Sequence, residues 1–146
     1  MIEIITNIKH KNIDIEELIK FTLKTLNIDN ISISISYNKL VCENMSTAKT
    51  TINALLDKTS KPHHYNLILK EKYNAPEIIC HEMVHLKQYE KEELKLNKND
   101  LDNYFVWKGN PFPASTPYED RPWEAEAIRL DNKLLKQYKK WKKEGN

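Results

Sequence analysis

The chain has 146 residues, of which 40% are hydrophobic and 30% charged, and its 23 basic and 21 acidic residues leave a formal net charge of +2. Such a chain is long enough for one domain with a hydrophobic core and too short for two comfortable ones. The balanced charge gives no reason to expect general nucleic-acid or membrane binding, and no apolar run approaches the length of a transmembrane helix. We therefore expect a single domain over residues 1–146, and we interpret the lysine-rich stretch 136–143 as the solvated end of a helix.

The N-terminus and the cysteines indicate the compartment. The first six residues include an early acid and have neither the basic region nor the cleavage site of a signal peptide. We therefore expect a reducing cytoplasm, in which Cys42 and Cys80 remain free thiols. Cys80 directly precedes His81, and a packing role is a simpler interpretation for it than a fourth metal ligand.

The first half of the chain carries one helical and several extended patterns. Asp14 and Glu17 form a D-x-x-E pair followed by apolar residues at helical spacing, which predicts a helix over about 14–27. Isoleucine and serine alternate strictly over 31–37, which predicts a half-buried strand with its isoleucines inward. The composition also predicts a short strand within 2–8, turns at 27–30 and 38–46, a strand near 47–53, a loop at 57–62 and a strand over 64–70. Residues 54–56 are compatible with a helix as well.

Residues 81–85 read His-Glu-Met-Val-His, an H-E-x-x-H pattern, within a stretch that we predict to be helical from about 76 to 95. Residues four apart lie on the same face of a helix, so His81 and His85 can bind one metal ion together. Glu82 lies beside them, where it can take a proton from a zinc-bound water. The motif therefore predicts one zinc ion per chain.

The two faces of this predicted helix differ in chemistry. At about 100° per residue, Gln88 shares the face of His81 and His85. The opposite face is apolar and carries Ile79, Met83 and Leu86. A solvated amphipathic helix with two incidental histidines is the alternative interpretation, and the separation of a polar from an apolar face favours the metal site.

After the motif helix, the sequence predicts an aromatic strand, a loop and a last helix. Residues 104–108 have the composition of a strand, and residues 109–117 hold three prolines and one glycine, which is typical of a structured loop. Arg121-Pro-Trp-Glu124 reads as the start of the last helix, because proline is favoured in the first turn.

A zinc ion held by two histidines needs at least one more protein ligand and an open position for water. On a projection of the last helix, Glu124 lies on the apolar side, whereas Glu126 lies opposite and should face water. The apolar side also carries Ala127, Ile128, Leu134, Leu135 and Tyr138. An inward-facing carboxylate is costly unless it is paired or bound to a metal. We therefore predict Glu124 as the third ligand, with Glu126 as the alternative.

Four further residues are candidates for supporting the site. Asp131 lies two turns beyond Glu124 and could hydrogen-bond a histidine ligand, although a boundary residue with water or lysine neighbours explains it equally well. Gln88 is a second candidate for such an outer hydrogen bond. Tyr118 and Arg121 precede the last helix, and either could stabilise an oxyanion near the metal. For both of them a structural hydrogen bond to the loop is the simpler interpretation.

Two blocks of the sequence resemble a known family. His81-Glu-Met-Val-His-Leu-Lys-Gln-Tyr89 and Arg121-Pro-Trp-Glu-Ala-Glu-Ala127 match the H-E-[LM]-V-H-x-x-Q-Y and R-P-W-E-x-E-A blocks of small phage-associated and bacterial zincin metallopeptidase-like proteins. The resemblance covers about residues 65–128. The chain is also similar to ImmA/IrrE-type proteases, which act on repressors, and more distantly to gluzincins. It lacks the second substrate-binding lobe of the large gluzincins, and the third histidine and Met-turn of metzincins.

The resemblance implies an α+β fold, a minimal zincin-like domain. Its parts would be an N-terminal helix, a small mixed β-sheet, the active-site helix with H-E-x-x-H, and a C-terminal helix that carries the glutamate ligand. In this Glu-zincin arrangement, Glu124 matches the ligand of an E-x-x-A frame.

We therefore expect a zinc-dependent endopeptidase that acts on a peptide or protein of unspecified identity. Zn²⁺ would be held by His81, His85 and Glu124, and Glu82 would act as general base and then pass its proton to the leaving amine. The strand over 64–70 would form the edge of the cleft and bind an extended substrate by strand addition. The alternatives are a zinc-stabilised binding or regulatory protein, and an antirepressor or interaction protein that binds peptides without cleaving them.

Overall fold

A computed structural model describes residues 1–47, 51–71, 75–98 and 103–146. Within these residues the chain has a mixed α+β architecture with two β-sheets. The strands are β1 (Ile2–Thr6), β2 (Ile31–Tyr37), β3 (Ala54–Lys58), β4 (His64–Leu69), β5 (Leu94–Lys98), β6 (Asn103–Trp107) and β7 (Asn110–Pro113). The helices are α1 (Ile15–Thr25), α2 (Lys39–Met45), α3 (Ala75–Glu90) and α4 (Pro122–Lys143), with a short 3-10 helix at Tyr118–Asp120. A membrane-spanning helix is not found among the described residues, since each helix there falls short in length or in apolar character.

The larger sheet is mixed, as predicted, and has the strand order β1-β2-β4-β3. The first three of these strands run parallel, and β3 pairs antiparallel with β4. On β2, Ile31, Ile33 and Ile35 are buried and the serines between them are partly exposed, which confirms the predicted alternation. The buried face of this sheet shares one hydrophobic core with α1, α3 and α4.

Two predictions for residues 38–58 were wrong. The strand predicted near 47–53 lies later, at β3, because residues 51–53 have no regular structure; residues 48–50 lie outside the described residues. The predicted turn at 38–46 contains α2, whose N-terminus is capped by the Asn38 side chain accepting from the Val41 N–H at 3.1 Å. This helix buries only Cys42, so no apolar stripe marks it in the sequence.

The motif helix α3 ends at Glu90, earlier than predicted. Glu92 adopts a left-handed conformation with φ of 57°. Its N–H donates to the Tyr89 carbonyl at 3.1 Å, and the N–H of Glu93 donates to the Gln88 carbonyl at 2.9 Å. This pair of bonds is a Schellman motif, which ends a helix and redirects the chain. The stop is built without glycine, and the chain continues directly into β5.

The smaller sheet is antiparallel, with the order β5-β6-β7, and it corrects the predicted loop at 109–117. Lys108 and Gly109, with φ of 47° and 85°, form the two-residue turn between β6 and β7. The sheet packs its aromatic side chains around Trp123 of α4. The chain thereby folds back over the 39 residues that separate His85 from Glu124.

The last helix α4 packs along α3 and against α1. Near its end, Tyr138 and Trp141 contact the ring of Phe21. The Tyr138 hydroxyl also donates to Glu17 Oε1 at 2.7 Å. Together with buried Trp123 at the start of the helix, these contacts fix α4 at both ends, so that its first turn lies against the middle of α3.

Candidate metal centre

Three side chains converge where α3 meets the first turn of α4. Glu124 Oε1 lies 3.1 Å from His81 Nε2 and 2.9 Å from His85 Nε2. The two imidazole rings are 4.9 Å apart, centroid to centroid, as expected for residues four apart on one helix face. The structure thus brings Glu124, and not Glu126, to both motif histidines.

The outer nitrogen of each imidazole is held by an acceptor. His81 Nδ1 lies 3.1 Å from Asp131 Oδ2, and His85 Nδ1 lies 2.8 Å from Gln88 Oε1. An acceptor at Nδ1 keeps the proton on that nitrogen and leaves the Nε2 lone pair free. Both Nε2 lone pairs are therefore directed at the same point, beside the Glu124 carboxylate. Asp131 and Gln88 therefore lie next to the histidines, where the sequence analysis places them.

The charges of the three groups depend on one another. Burial alone would raise the pKa of Glu124, but its hydrogen bonds to His81 and His85 hold that pKa far below the usual range. Burial would lower the pKa of His85, yet the hydrogen bond to Glu124 and the charge of Glu82 raise it to about 9. Burial would lower the pKa of His81 too, but the hydrogen bonds to Glu124 and Asp131 and the charge of Glu82 together raise it. The carboxylate and the imidazoles thus stabilise opposite charges on one another.

These residues fit a divalent metal ion. Their ligand atoms all lie within 4.8 Å of one another. In a tetrahedral zinc site with bonds of about 2.0–2.1 Å, two ligand atoms are roughly 3.3 Å apart, so the two separations between Glu124 Oε1 and the imidazole nitrogens would need to open by only a few tenths of an ångström. Two imidazoles and one carboxylate suit zinc, and such a donor set also binds other first-row divalent metals.

Glu82 lies beside this cluster in the same cleft. Burial raises the pKa of the Glu82 carboxyl above its usual range, and the nearby histidines oppose the shift. Tyr118 lines the same cleft next to Glu124, and burial together with that carboxylate raises the pKa of its hydroxyl to about 12. Tyr118 therefore keeps its proton at neutral pH and remains a hydrogen-bond donor.

Arg121 borders the same cleft but makes structural contacts. Its Nε donates to the Thr116 carbonyl at 2.9 Å, and its guanidinium lies 5.4 Å from the centre of the Phe105 ring. These contacts match the simpler interpretation given above, a hydrogen bond to the preceding loop.

The cleft over the site has a volume of about 450 Å³. One wall is formed by α3 and the first turns of α4, and the other by residues 51–56, which include the start of β3. The strand predicted as the cleft edge, residues 64–70, is instead β4, which lies between β2 and β3 in the sheet. Both its edges are paired, so it cannot accept another strand. Among the described residues, β3 is the outer strand on this side.

Two predictions from the projection of α4 were wrong. Glu126 does not face water: its side chain is only 12% exposed and pairs with Lys87 at 2.9 Å. Ile128, predicted to be on the buried side, is 53% exposed. Glu126 lies behind the cluster, and its amide neighbour Gln88 separates it from His85. The sequence analysis did not predict that residues 51–56 line the cleft. The one sequence feature that could have pointed to them is the apolar run Ala54-Leu-Leu56, whose secondary structure was left open.

Comparisons of the chain with family models, with curated proteins and with solved structures find no match.

Proposed function

We propose that this protein is a zinc-dependent metallopeptidase with a zincin-like arrangement of α3, α4 and the mixed sheet. The observation that carries the proposal is the convergence of His81 Nε2, His85 Nε2 and Glu124 Oε1 beside Glu82 in one open cleft. A structural zinc site normally fills all four positions with protein ligands, whereas a catalytic site uses three and keeps one open. A structural site also needs no base next to its ligands.

The side chains of the site would divide the reaction between them. Bound zinc supplies a Lewis acid that polarises the scissile carbonyl and lowers the pKa of water. Glu82 would take the proton of the attacking water and pass it to the leaving nitrogen. Tyr118 can donate to the negative oxygen that develops on the substrate. Asp131 and Gln88 keep the two imidazoles in the tautomer that binds metal.

The substrate would lie along β3. Asn53 and Thr59, at the two ends of this strand, form backbone hydrogen bonds of 2.9 Å toward β4. Because hydrogen-bonded pairs alternate along an antiparallel ladder, the N–H and C=O of Leu56 are directed away from β4. An extended peptide can pair with these two groups as an added strand, with its scissile bond over the metal position.

Cleavage of an unfolded, casein-like protein is the direct test of this function. Protein purified without chelator should contain about one equivalent of zinc and should cleave the substrate. A chelator should abolish cleavage, and added zinc should restore it. Absence of zinc binding by calorimetry near neutral pH would overturn the proposal. Zinc binding without cleavage would instead favour a peptide-binding or regulatory protein.

Leu56→Pro tests the proposed strand addition. Proline removes the N–H that faces the substrate and leaves the hydrogen bonds to β4 in place. We expect kcat/KM to fall about 2- to 10-fold, which corresponds to one hydrogen bond of about 0.5–1.5 kcal/mol. Leu56→Ala is the matched control, because it removes the side chain but keeps the N–H. Equal peptidase activity in the two variants would contradict pairing at this strand.

A further inference from the structure

A largely buried set of polar side chains lies behind His85, and none of its members lines the cleft. Gln88, Glu126, Lys87 and Glu93 form it, and we call it the rear network. Gln88 Nε2 donates to Glu126 Oε1 at 3.1 Å, and Lys87 Nζ donates to the same oxygen at 2.9 Å. Lys87 also pairs with Glu93 at 2.7 Å. Gln88 is fully buried. Burying this many polar groups is costly unless each is paired, so their arrangement is strongly constrained.

Glu126 of the rear network and the backbone carbonyl of Trp123 together orient the Gln88 amide. The two ends of an amide have nearly the same shape, so its neighbours determine its orientation. The Nε2 end of Gln88 faces two acceptors, the Trp123 carbonyl at 2.9 Å and Glu126 Oε1 at 3.1 Å. A reversed amide would place its oxygen against both of them. The observed orientation therefore directs Gln88 Oε1 at His85 Nδ1, 2.8 Å away.

Lys87 stabilises Glu126 as the charged acceptor of the hydrogen bond from Gln88. The Lys87 ammonium lies 2.9 Å from Glu126 Oε1, and both side chains are only 12–13% exposed, so a cation faces this carboxylate directly. Glu126 is thus held as an acceptor.

We propose that Glu126 is a positioning residue for the metal centre. Through Gln88 it holds His85 with the Nε2 lone pair directed at the metal position, although Glu126 itself touches neither His85 nor the metal position. This inference rests on the proposed zinc site and is independent of whether the site cleaves peptides.

The test compares Glu126→Leu with Glu126→Gln. Zinc affinity is measured by competition with a chromogenic chelator, and ligand geometry by the visible spectrum of the Co²⁺-substituted protein. Changes to outer hydrogen-bond partners of metal ligands typically lower metal affinity 10- to 100-fold, and we expect about 10-fold for Glu126→Leu with an altered cobalt spectrum. Glu126→Gln should stay within about threefold of the native protein, since its amide oxygen still accepts from Gln88. Glu119→Leu removes an exposed carboxylate and should change neither readout.

A stability control separates positioning from simple loss of packing. Glu126→Leu leaves Glu93 as the remaining partner of Lys87 and could destabilise the fold, so the triple variant Lys87→Met/Glu93→Leu/Glu126→Leu replaces all three charges with apolar groups, a change that is often neutral for stability. Its metal-free form should unfold near the native temperature and still bind zinc about 10-fold more weakly. Native zinc affinity and cobalt spectrum in this variant, or equal losses in the Leu and Gln variants, would overturn the positioning role. If the native protein binds no zinc, the proposed function fails and the inference with it.

Discussion

Glu82→Gln should lower the hydrolysis of an unfolded substrate by a factor of at least about 100 while leaving zinc affinity nearly unchanged. The substitution keeps the size and helix propensity of the side chain but removes its ability to take up a proton. Loss of a general base commonly costs about 10²- to 10⁴-fold in rate. Zinc should remain bound because Glu82 lies beside the three converging ligand atoms and is not one of them.

This result requires both measurements on the same preparation. Hydrolysis is followed at saturating zinc, and the zinc content is measured in parallel. Inactivity caused by loss of metal is then distinguished from inactivity caused by loss of the general base. Glu16→Gln makes the same chemical change at an exposed position on α1 and should retain full activity. Native hydrolysis by Glu82→Gln would mean that another group acts as the base. Native biological activity without hydrolysis would favour the binding-protein alternative.

The core of the site was predictable because it depends on local helical geometry. The four-residue spacing places His81 and His85 on one face of α3 whatever surrounds the helix. Glu124 could be predicted because an inward carboxylate needs a partner. The burial of Glu126 could not be predicted, because a projection of a single helix assumes that only one side of the helix is buried. In the structure α3 covers a second side of α4, and Lys87 supplies the cation that makes a buried Glu126 tolerable.

The fold was predictable where one pattern repeats within one element. The alternation of β2 is such a case, because every second residue is buried. The smaller sheet carries no comparable signal. Pro111 and Pro113 suggest a loop, yet they lie in β7, the outer strand of its sheet. Proline is tolerated in an outer strand because its missing N–H can face away from the neighbouring strand. The end of α3 could not be predicted from the sequence either. A left-handed residue that ends a helix is usually glycine, but here it is Glu92.

Glu124→Ala should lower zinc affinity by more than about 100-fold and reduce hydrolysis with it. The expected loss exceeds that of any outer-shell change, which typically costs 10- to 100-fold, because a ligand itself is removed. Only the two imidazoles would remain, and zinc normally takes at least three protein ligands. Added zinc should restore hydrolysis at best partly, in contrast to Glu82→Gln, which should stay inactive with its zinc in place.

Comparing alanine substitutions at Glu124 and Glu126 tests which of the two glutamates is the metal ligand. Both lie close to α3 and both are largely buried, with side-chain exposures of 13% for Glu124 and 12% for Glu126. Burial alone would therefore predict similar consequences when either is replaced by alanine. Direct ligation predicts a much larger loss of zinc affinity at Glu124, because only its Oε1 lies within 3.1 Å of both His Nε2 atoms. Equal losses at the two positions, or a larger loss at Glu126, would mean that the ligand set is not His81, His85 and Glu124.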